Sequence, residues 1–256
     1  MKRLLSLLLI LLPFILNAQC DKNDYIVVSE VIIKGNDVTK ESIILRELTF
    51  SVGDTLDIVR WEEEKKISHE NILNTTLFNF VTLEEKTDGT DDKGVVLQID
   101  VTERWYLWVY PYVAYSDRNL NAWYEANDIT RFSYGFEMKY KNFLGMKNDL
   151  NLTLISGYNQ NYALSYDIPY VTDKQTFGFE FGVGYKRDKE VSYLTENNKI
   201  LYFNGEDKFA RQSAFAFVEP YYRFGHRNKL FLNFSYNNTL YHDTLSYLNS
   251  DFVNSE

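Results

Sequence analysis

The sequence has few of the residues that build a catalytic or metal-binding site. Its 256 residues include one cysteine and three histidines. The spacing of His69, His226 and His242 is not that of a zinc site. The lone Cys20 excludes an intrachain disulfide. We find no nucleophile elbow, phosphate-binding loop or catalytic Cys–His signature. The sequence therefore predicts no enzyme, no bound cofactor and no metal.

Basic residues are also fewer than acidic residues. Lys and Arg number 27 against 36 Asp and Glu, which gives a formal net charge of −9. Proteins that bind nucleic acid concentrate positive charge on one face or along one stripe. This chain shows no such stripe, so nucleic acid is excluded as a predicted partner.

A long apolar run is present only at the N-terminus. Leu4–Leu16 follows two basic residues and is short for a membrane-spanning helix. We interpret residues 1–18 as a secretory signal peptide that is cleaved after Ala18. The alternative is a lipoprotein that begins at Cys20, although the three residues before this cysteine fit a lipidation signal poorly.

Residues 22–104 combine strand and helix patterns. "YIVVSEVIIKGN" is typical of a strand, and "DVTKESIILREL" of a helix with Thr39 as N-cap. A second helix, "DIVRWEEEKKISHENILNTTLF", can be capped by Asp57. Two strands follow, "NFVTLEEKT" and "GVVLQIDVTER", joined by the polar loop "KTDGTDDKG". The predicted order is β-α-α-β-β, an α+β unit with its helices on one face of a three-stranded sheet.

This order resembles the POTRA domain, a periplasmic module of the outer-membrane assembly family (the bacterial surface antigen family). That family includes BamA-like and TamA-like insertases and two-partner secretion transporters. The resemblance covers residues 25–104 and is carried by "IKGN", "LTFSVGD", "ILNTTLFNFV" and "VTERW". It implies that the strand "NFVTLEEKT" lies at an edge of the sheet.

An edge strand can receive the extended backbone of an unfolded client protein. We therefore predict a client-binding edge around this strand. The alternative is that Glu84, Glu85 and Lys86 are charged gatekeepers, which keep other strands away from the edge. The predicted client-binding residues are Phe80, Val81, Thr82, Leu83, Glu84 and Glu85.

From Trp105 onward, no segment has a convincing helical period, whereas seven segments alternate with period two. They are about 9 to 12 residues long, which suits tilted strands crossing a bilayer. Aromatic residues make up 16% of the chain, which suits an interface with lipid. In "TFGFEFGVGYK" aromatic side chains alternate with glycine or charge. The predicted lipid-facing residues are Phe177, Phe179, Phe181, Leu150, Leu152, Leu154, Leu230, Leu232 and Phe234.

Residues 105–256 are therefore predicted to form an antiparallel transmembrane β-barrel, with a soluble β-sandwich as the alternative. The resemblance implies sixteen strands and an inward-folding loop with a Val/Ile-Arg-Gly-Tyr/Phe motif. The sequence shows about seven strands and no such motif. We therefore expect an incomplete barrel, the N-terminal part of a longer protein.

The resemblance implies a factor in the outer membrane that inserts or translocates proteins, with its N-terminal domain in the periplasm. Its partners would be the lipid bilayer, unfolded outer-membrane or secreted clients, and periplasmic lipoproteins. The alternative is a passive pore or adhesin with a small periplasmic domain. Pro111, in the first predicted barrel strand, favours the first view, because it weakens a seam that a passive pore would seal. The sequence does not distinguish an insertase from a secretion transporter and does not identify the clients.

Overall fold

The chain folds into two compact units in this computed structural model. The first comprises the described residues up to Gly35 together with Glu47–Thr102, and the second comprises Asn36–Arg46 and the described residues from Glu103 onward. The signal peptide, Cys20, His226 and most of the "KTDGTDDKG" loop lie outside the described residues. The structure describes residues 25–87, 93–116, 129–172, 176–224 and 228–250.

The N-terminal elements form a four-stranded sheet with the order β2-β1-β4-β3. Strands β1 and β4 are parallel, and β1 and β2 are antiparallel. The sequence predicted three strands, and the structure adds β2, which at three residues is too short to show an alternating pattern. The elements are β1 (Tyr25–Lys34), α1 (Glu41–Leu45), β2 (Thr55–Asp57), α2 (Ile58–Asn74), β3 (Phe78–Thr87) and β4 (Gly94–Glu103).

The core of the first unit contains the apolar face of this sheet together with side chains of α2. Val28, Leu97 and Ile99 have no exposed surface, and neither do Trp61 and Ile72 of α2. Burial of such side chains stabilises the unit by roughly 1.5–3 kcal/mol each. This sheet therefore covers its apolar face within its own unit.

The predicted caps of the two helices had different outcomes. Asp57 is the N-cap of α2, where its Oδ1 accepts from the Arg60 amide at 2.9 Å, so that prediction is confirmed. The predicted cap of α1 is wrong, because α1 begins after Lys40, which makes no side-chain cap bond. The Thr39 hydroxyl instead hydrogen-bonds the Tyr106 hydroxyl at 3.1 Å.

The second unit contains an eight-stranded sheet whose paired strands are antiparallel. Its order is β13-β12-β9-β8-β7-β6-β5, with β14 also paired to β12, and β10 and β11 form a separate hairpin. Among the described residues, no helix is long and apolar enough to cross a membrane. The elements are β5 (Leu107–Tyr115), a 3₁₀ turn (Ile129–Arg131), β6 (Phe132–Phe143), β7 (Asn148–Gly157), β8 (Gln160–Ile168), β9 (Phe177–Asp188), β10 (Glu190–Glu196), β11 (Lys199–Asn204), β12 (Arg211–Phe224), β13 (Asn228–Phe231), β14 (Phe234–Tyr241) and α3 (Asp243–Leu248).

The last predicted strand, "KLFLNFSYNNTL", is divided into β13 and β14. The interruption lies opposite Pro220 of β12, whose carbonyl accepts from the Leu232 amide at 3.1 Å. Proline has no backbone N–H, so Pro220 cannot complete the usual pair of hydrogen bonds at this position. The break therefore follows from one residue on the neighbouring strand, which the alternation within "KLFLNFSYNNTL" does not reveal.

Candidate functional site

The predicted client-binding residues lie on β3, one of the two edge strands of the first sheet. Their side chains divide between its two faces. Val81 is buried and Leu83 half-buried on the helix side. Phe80, Thr82 and Glu84 are exposed on the other face, and 72% of Phe80 is accessible to solvent. Val81 and Leu83 thus anchor β3 in the core, and the other edge of the strand faces away from the sheet.

Hydrogen bonds at β4 reveal which backbone groups of β3 face outward. In a strand, the N–H and C=O of one residue point to the same side, and successive residues alternate sides. The Val27 amide donates to the Lys93 carbonyl at 2.9 Å, so odd-numbered residues of β4 face β1. Even-numbered residues of β4 therefore face β3.

A contact between side chains shows which residues of β3 face β4. Lys86 Nζ donates to Gln98 Oε1 at 2.6 Å, which puts the even-numbered side chains of β3 and β4 on the same face. Residues that pair across two strands share a face, so the even-numbered residues of β3 pair with β4. The residues whose backbone groups point away from the sheet are then Val81, Leu83 and Glu85.

Three side chains of α2 lie in a row along β3. Trp61, Lys65 and His69 are four residues apart, a spacing that aligns them on one helix face. Trp61 Nε1 donates to Glu85 Oε1 at 2.9 Å, and Lys65 Nζ donates to the same oxygen. His69 Nε2 donates to the Val81 carbonyl at 3.0 Å. The row therefore connects α2 to β3 at two positions, Glu85 and Val81.

Sequence reasoning missed this row. It assigned no role to Lys65 and considered His69 only as a possible zinc ligand. Lys65 does pair locally with Glu62 at 2.9 Å, but it also reaches Glu85. A four-residue periodicity of Trp, Lys and His was the available signal, but nothing in the sequence alone says which strand it faces.

The charges around Lys65 alter its titration. Burial alone would lower the pKa of Lys65, but hydrogen bonds to Glu85 and Glu62 and the charges of these carboxylates outweigh it. The pKa of Lys65 is therefore raised above its usual value of 10.5. Of the three predicted gatekeepers, Glu85 is bound to α2 and Lys86 to Gln98, so two of these charges have contacts inside the unit.

The second unit presents a continuous apolar face. Across its strands, Met138 lies opposite Leu152, which is followed by Leu164 and then Val183. Leu164 remains 43% exposed and Val183 54% exposed. Leu232 lies in the break between β13 and β14 and is 61% exposed. The other predicted lipid-facing residues occur on this face: Leu150, Leu152, Leu154, Phe177, Phe179, Phe181, Leu230 and Phe234.

The opposite face of the same sheet is polar and rich in glycine. Asn151 Nδ2 donates to Ser165 Oγ at 3.1 Å. On β9, the glycines make room for aromatic rings of β12. A Cβ at Gly182 would lie 2.5 Å from the ring of Phe217, and one at Gly184 would lie 2.2 Å from the ring of Phe215. A side chain at either position would therefore displace these rings.

No group of three His, Cys, Asp or Glu within the described ranges is placed to hold a metal ion. Residues 26–104 match the family model of the POTRA domain, described as a surface antigen variable number repeat. Residues 26–104 are thus a POTRA-like domain, and they are followed by an antiparallel sheet that resembles part of the BamA barrel. No curated protein matches the sequence.

The solved structures that resemble the chain include BamA and CdiB. BamA from Haemophilus ducreyi lacking POTRA domains 1–3 aligns with a TM-score of 0.58 and 20% identity, over 90% of this chain and 39% of that one. CdiB from Acinetobacter baumannii aligns with a TM-score of 0.47 and 11% identity, over 86% of this chain and 39% of that one. The chain therefore spans less than half the length of either structure.

Proposed function

We propose that this chain belongs to an outer-membrane protein assembly or secretion factor. Its POTRA domain receives unfolded clients as an added strand on β3. The sheet of the second unit forms part of a membrane barrel, which passes these clients into or across the outer membrane. The observation that carries the proposal is the outer edge of β3, where the backbone groups of Val81, Leu83 and Glu85 point away from the sheet.

Backbone pairing suits a factor with many clients. An added strand is held mainly by main-chain hydrogen bonds, which every residue other than proline can make in full. Leu83 and Glu85 each offer an outward donor and an outward acceptor, and Val81 offers a donor, because its carbonyl already accepts from His69. The edge therefore binds extended chains with little regard to sequence, and we assign the protein no chemical reaction.

The apolar face of the second unit supports a membrane location. Its aromatic and aliphatic side chains are exposed in a band that crosses the sheet, as in outer-membrane barrels. A lipid bilayer would cover this band without a second protein layer. The POTRA domain then lies in the periplasm, where unfolded clients and lipoprotein partners are available.

The first strand of this sheet supports an assembly factor over a passive pore. The Tyr106 carbonyl accepts from the Lys141 amide at 2.9 Å, so even-numbered residues of β5 face β6. Pro111 therefore faces the outer edge of β5, which is an edge of the sheet. Its missing N–H weakens pairing at that edge and leaves the β5–β6 ladder intact. Such an edge suits a seam that opens to clients.

Substitutions at Leu83 test the receiving edge. Leu83→Pro removes an outward N–H without breaking the ladder to β4, because proline is tolerated on edge strands. Leu83→Ala is the matched control for the lost side chain. A photo-cross-linker at position 84 reports capture of an unfolded outer-membrane barrel protein. We expect cross-linking in the parent and in Leu83→Ala, and its loss in Leu83→Pro.

Thr82→Pro provides a second comparison, since the Thr82 amide faces β4. That variant should lower the stability of the domain, which circular dichroism measures, rather than block the edge of a folded domain. If folded Leu83→Pro captures clients as well as Leu83→Ala does, β3 is not the receiving site.

A further inference from the structure

The outer edge of β3 carries a contact that an added strand would have to replace. The Val81 carbonyl points outward, and His69 Nε2 already donates to it at 3.0 Å. A client strand pairing at this residue would offer its own N–H to the same oxygen. The imidazole and the client therefore compete for one acceptor.

The helix that holds His69 is anchored on both sides of it. The preceding residue, Ser68, is fully buried, and its hydroxyl accepts from the Thr49 amide at 3.0 Å. Ile72, one turn further on, is also fully buried. His69 itself is half-buried. Because the backbone of α2 is fixed, rotation of the His69 side chain is the simplest way to release the carbonyl.

We propose that His69 controls access of client strands to β3 by covering the Val81 acceptor. This proposal rests on the proposed function of the edge. Exchanging an imidazole donor for an amide donor at Val81 gains little by itself. A client gains affinity only when it also pairs with Leu83 and Glu85. The edge therefore selects extended segments with several consecutive amides over short or proline-broken ones.

Two substitutions separate the effect of the His69 N–H donor from the effect of the size of its side chain. His69→Leu removes the N–H and keeps an apolar side chain of similar size, whereas His69→Gln keeps an amide N–H near the same place. The probe is a fluorescent synthetic peptide with the sequence of β9, Phe177–Asp188, as a model barrel strand. Its affinity for the full chain in detergent micelles is measured by fluorescence anisotropy.

We expect His69→Leu to bind the peptide about two- to tenfold more tightly than the parent, as the loss of one competing hydrogen bond predicts. His69→Gln should bind like the parent. The Leu83→Pro variant distinguishes the two proposals. If it loses peptide binding while His69→Leu binds no more tightly than the parent, the role of His69 is wrong and the receiving edge stands. If Leu83→Pro binds normally, the proposed edge fails and the role of His69 fails with it.

A measurement on the unsubstituted protein does not depend on the folding of any variant. The chain contains three histidines, so selective ¹⁵N-histidine labelling gives few signals, and His69→Gln assigns the one from His69. Peptide binding should shift the His69 Nε2 resonance, because its bond to Val81 is broken. Saturation with peptide that leaves this resonance unchanged would overturn the proposal.

Discussion

The two sheets of this chain use the same alternation of side chains but cover their apolar faces differently. In the POTRA sheet, Leu97 and Ile99 of β4 have no exposed surface, and α2 contributes to the core around them. In the second sheet, Leu164 and Val183 lie opposite each other on β8 and β9, on the apolar face, and remain about half exposed. Alternation therefore specifies which side chains share a face, while the neighbouring elements decide whether protein covers that face.

This difference determines what each sheet needs to keep its apolar side chains away from water. The POTRA sheet buries its apolar side chains within its own unit, so it needs no lipid to remove them from water. The second sheet leaves an apolar band uncovered, and large exposed apolar surfaces mark sites that contact protein, ligand or membrane. The following predictions test this contrast.

Separating the two regions should give the largest effect. Residues 22–104 expressed alone should fold as a soluble domain, since about 80 residues can bury a marginal core of their own. Residues 105–256 alone should be insoluble without detergent, because they carry an exposed apolar face and open sheet edges. Circular dichroism and sedimentation of the two fragments measure this. A disordered first fragment, or a soluble monomeric second one, would contradict the contrast between the sheets.

A charge on the apolar face should have the next largest effect. Leu164→Arg places a cation in the middle of the proposed lipid-facing band, where it should cost about 2–4 kcal/mol. Ser165→Arg is the matched control, because the adjacent side chain points to the polar face, on the same side as Glu180. Insertion into lipid vesicles, followed by resistance to urea, measures the difference. Equal loss in both variants would show that the face does not meet lipid.

The sequence predicted most of the fold because its signals were local. Alternation located the barrel-like strands, and Asp57 located the start of α2. The residues it missed depend on contacts across long sequence separations. His69 meets Val81 after the chain has turned back, and Thr39 bonds Tyr106, 67 residues away. Pro220 divides a strand whose own alternation is uninterrupted. Such contacts follow from register, which no single segment encodes.

A buried asparagine in the second unit should have an intermediate effect. Asn142 is fully buried, with Nδ2 donating to Thr39 Oγ1 at 2.8 Å and Oδ1 accepting from the Lys147 amide at 2.8 Å. Its φ of 53° also favours asparagine over most residues. Asn142→Ala should cost about 1–3 kcal/mol by leaving buried polar groups without partners. Urea unfolding in micelles measures the loss.

Asn142→Asp is the matched comparison for that position. It retains an acceptor for the Lys147 amide and tolerates a positive φ, but it loses the donor to Thr39. Because the site is fully buried, a carboxylate there also loses its hydration, so the cost of Asn142→Asp at neutral pH should be no smaller than that of the alanine variant. If Asn142→Ala unfolds at the same urea concentration as the parent, the network around Thr39 contributes nothing to the second unit.

The smallest predicted effect is the pH dependence of the contact between α2 and β3. Because the pKa of folded Lys65 lies above its unfolded value of 10.5, the ammonium stabilises the POTRA unit fully below that pH. The contribution is lost as pH rises through the folded pKa. For a partly exposed pair it amounts to at most about 1 kcal/mol. Lys65→Met should therefore unfold more easily than Lys66→Met at pH 8, and the gap should close above pH 10.5. Urea unfolding of both variants across this range measures the gap, and a gap that stays constant with pH would rule out the charge of Lys65 as its cause.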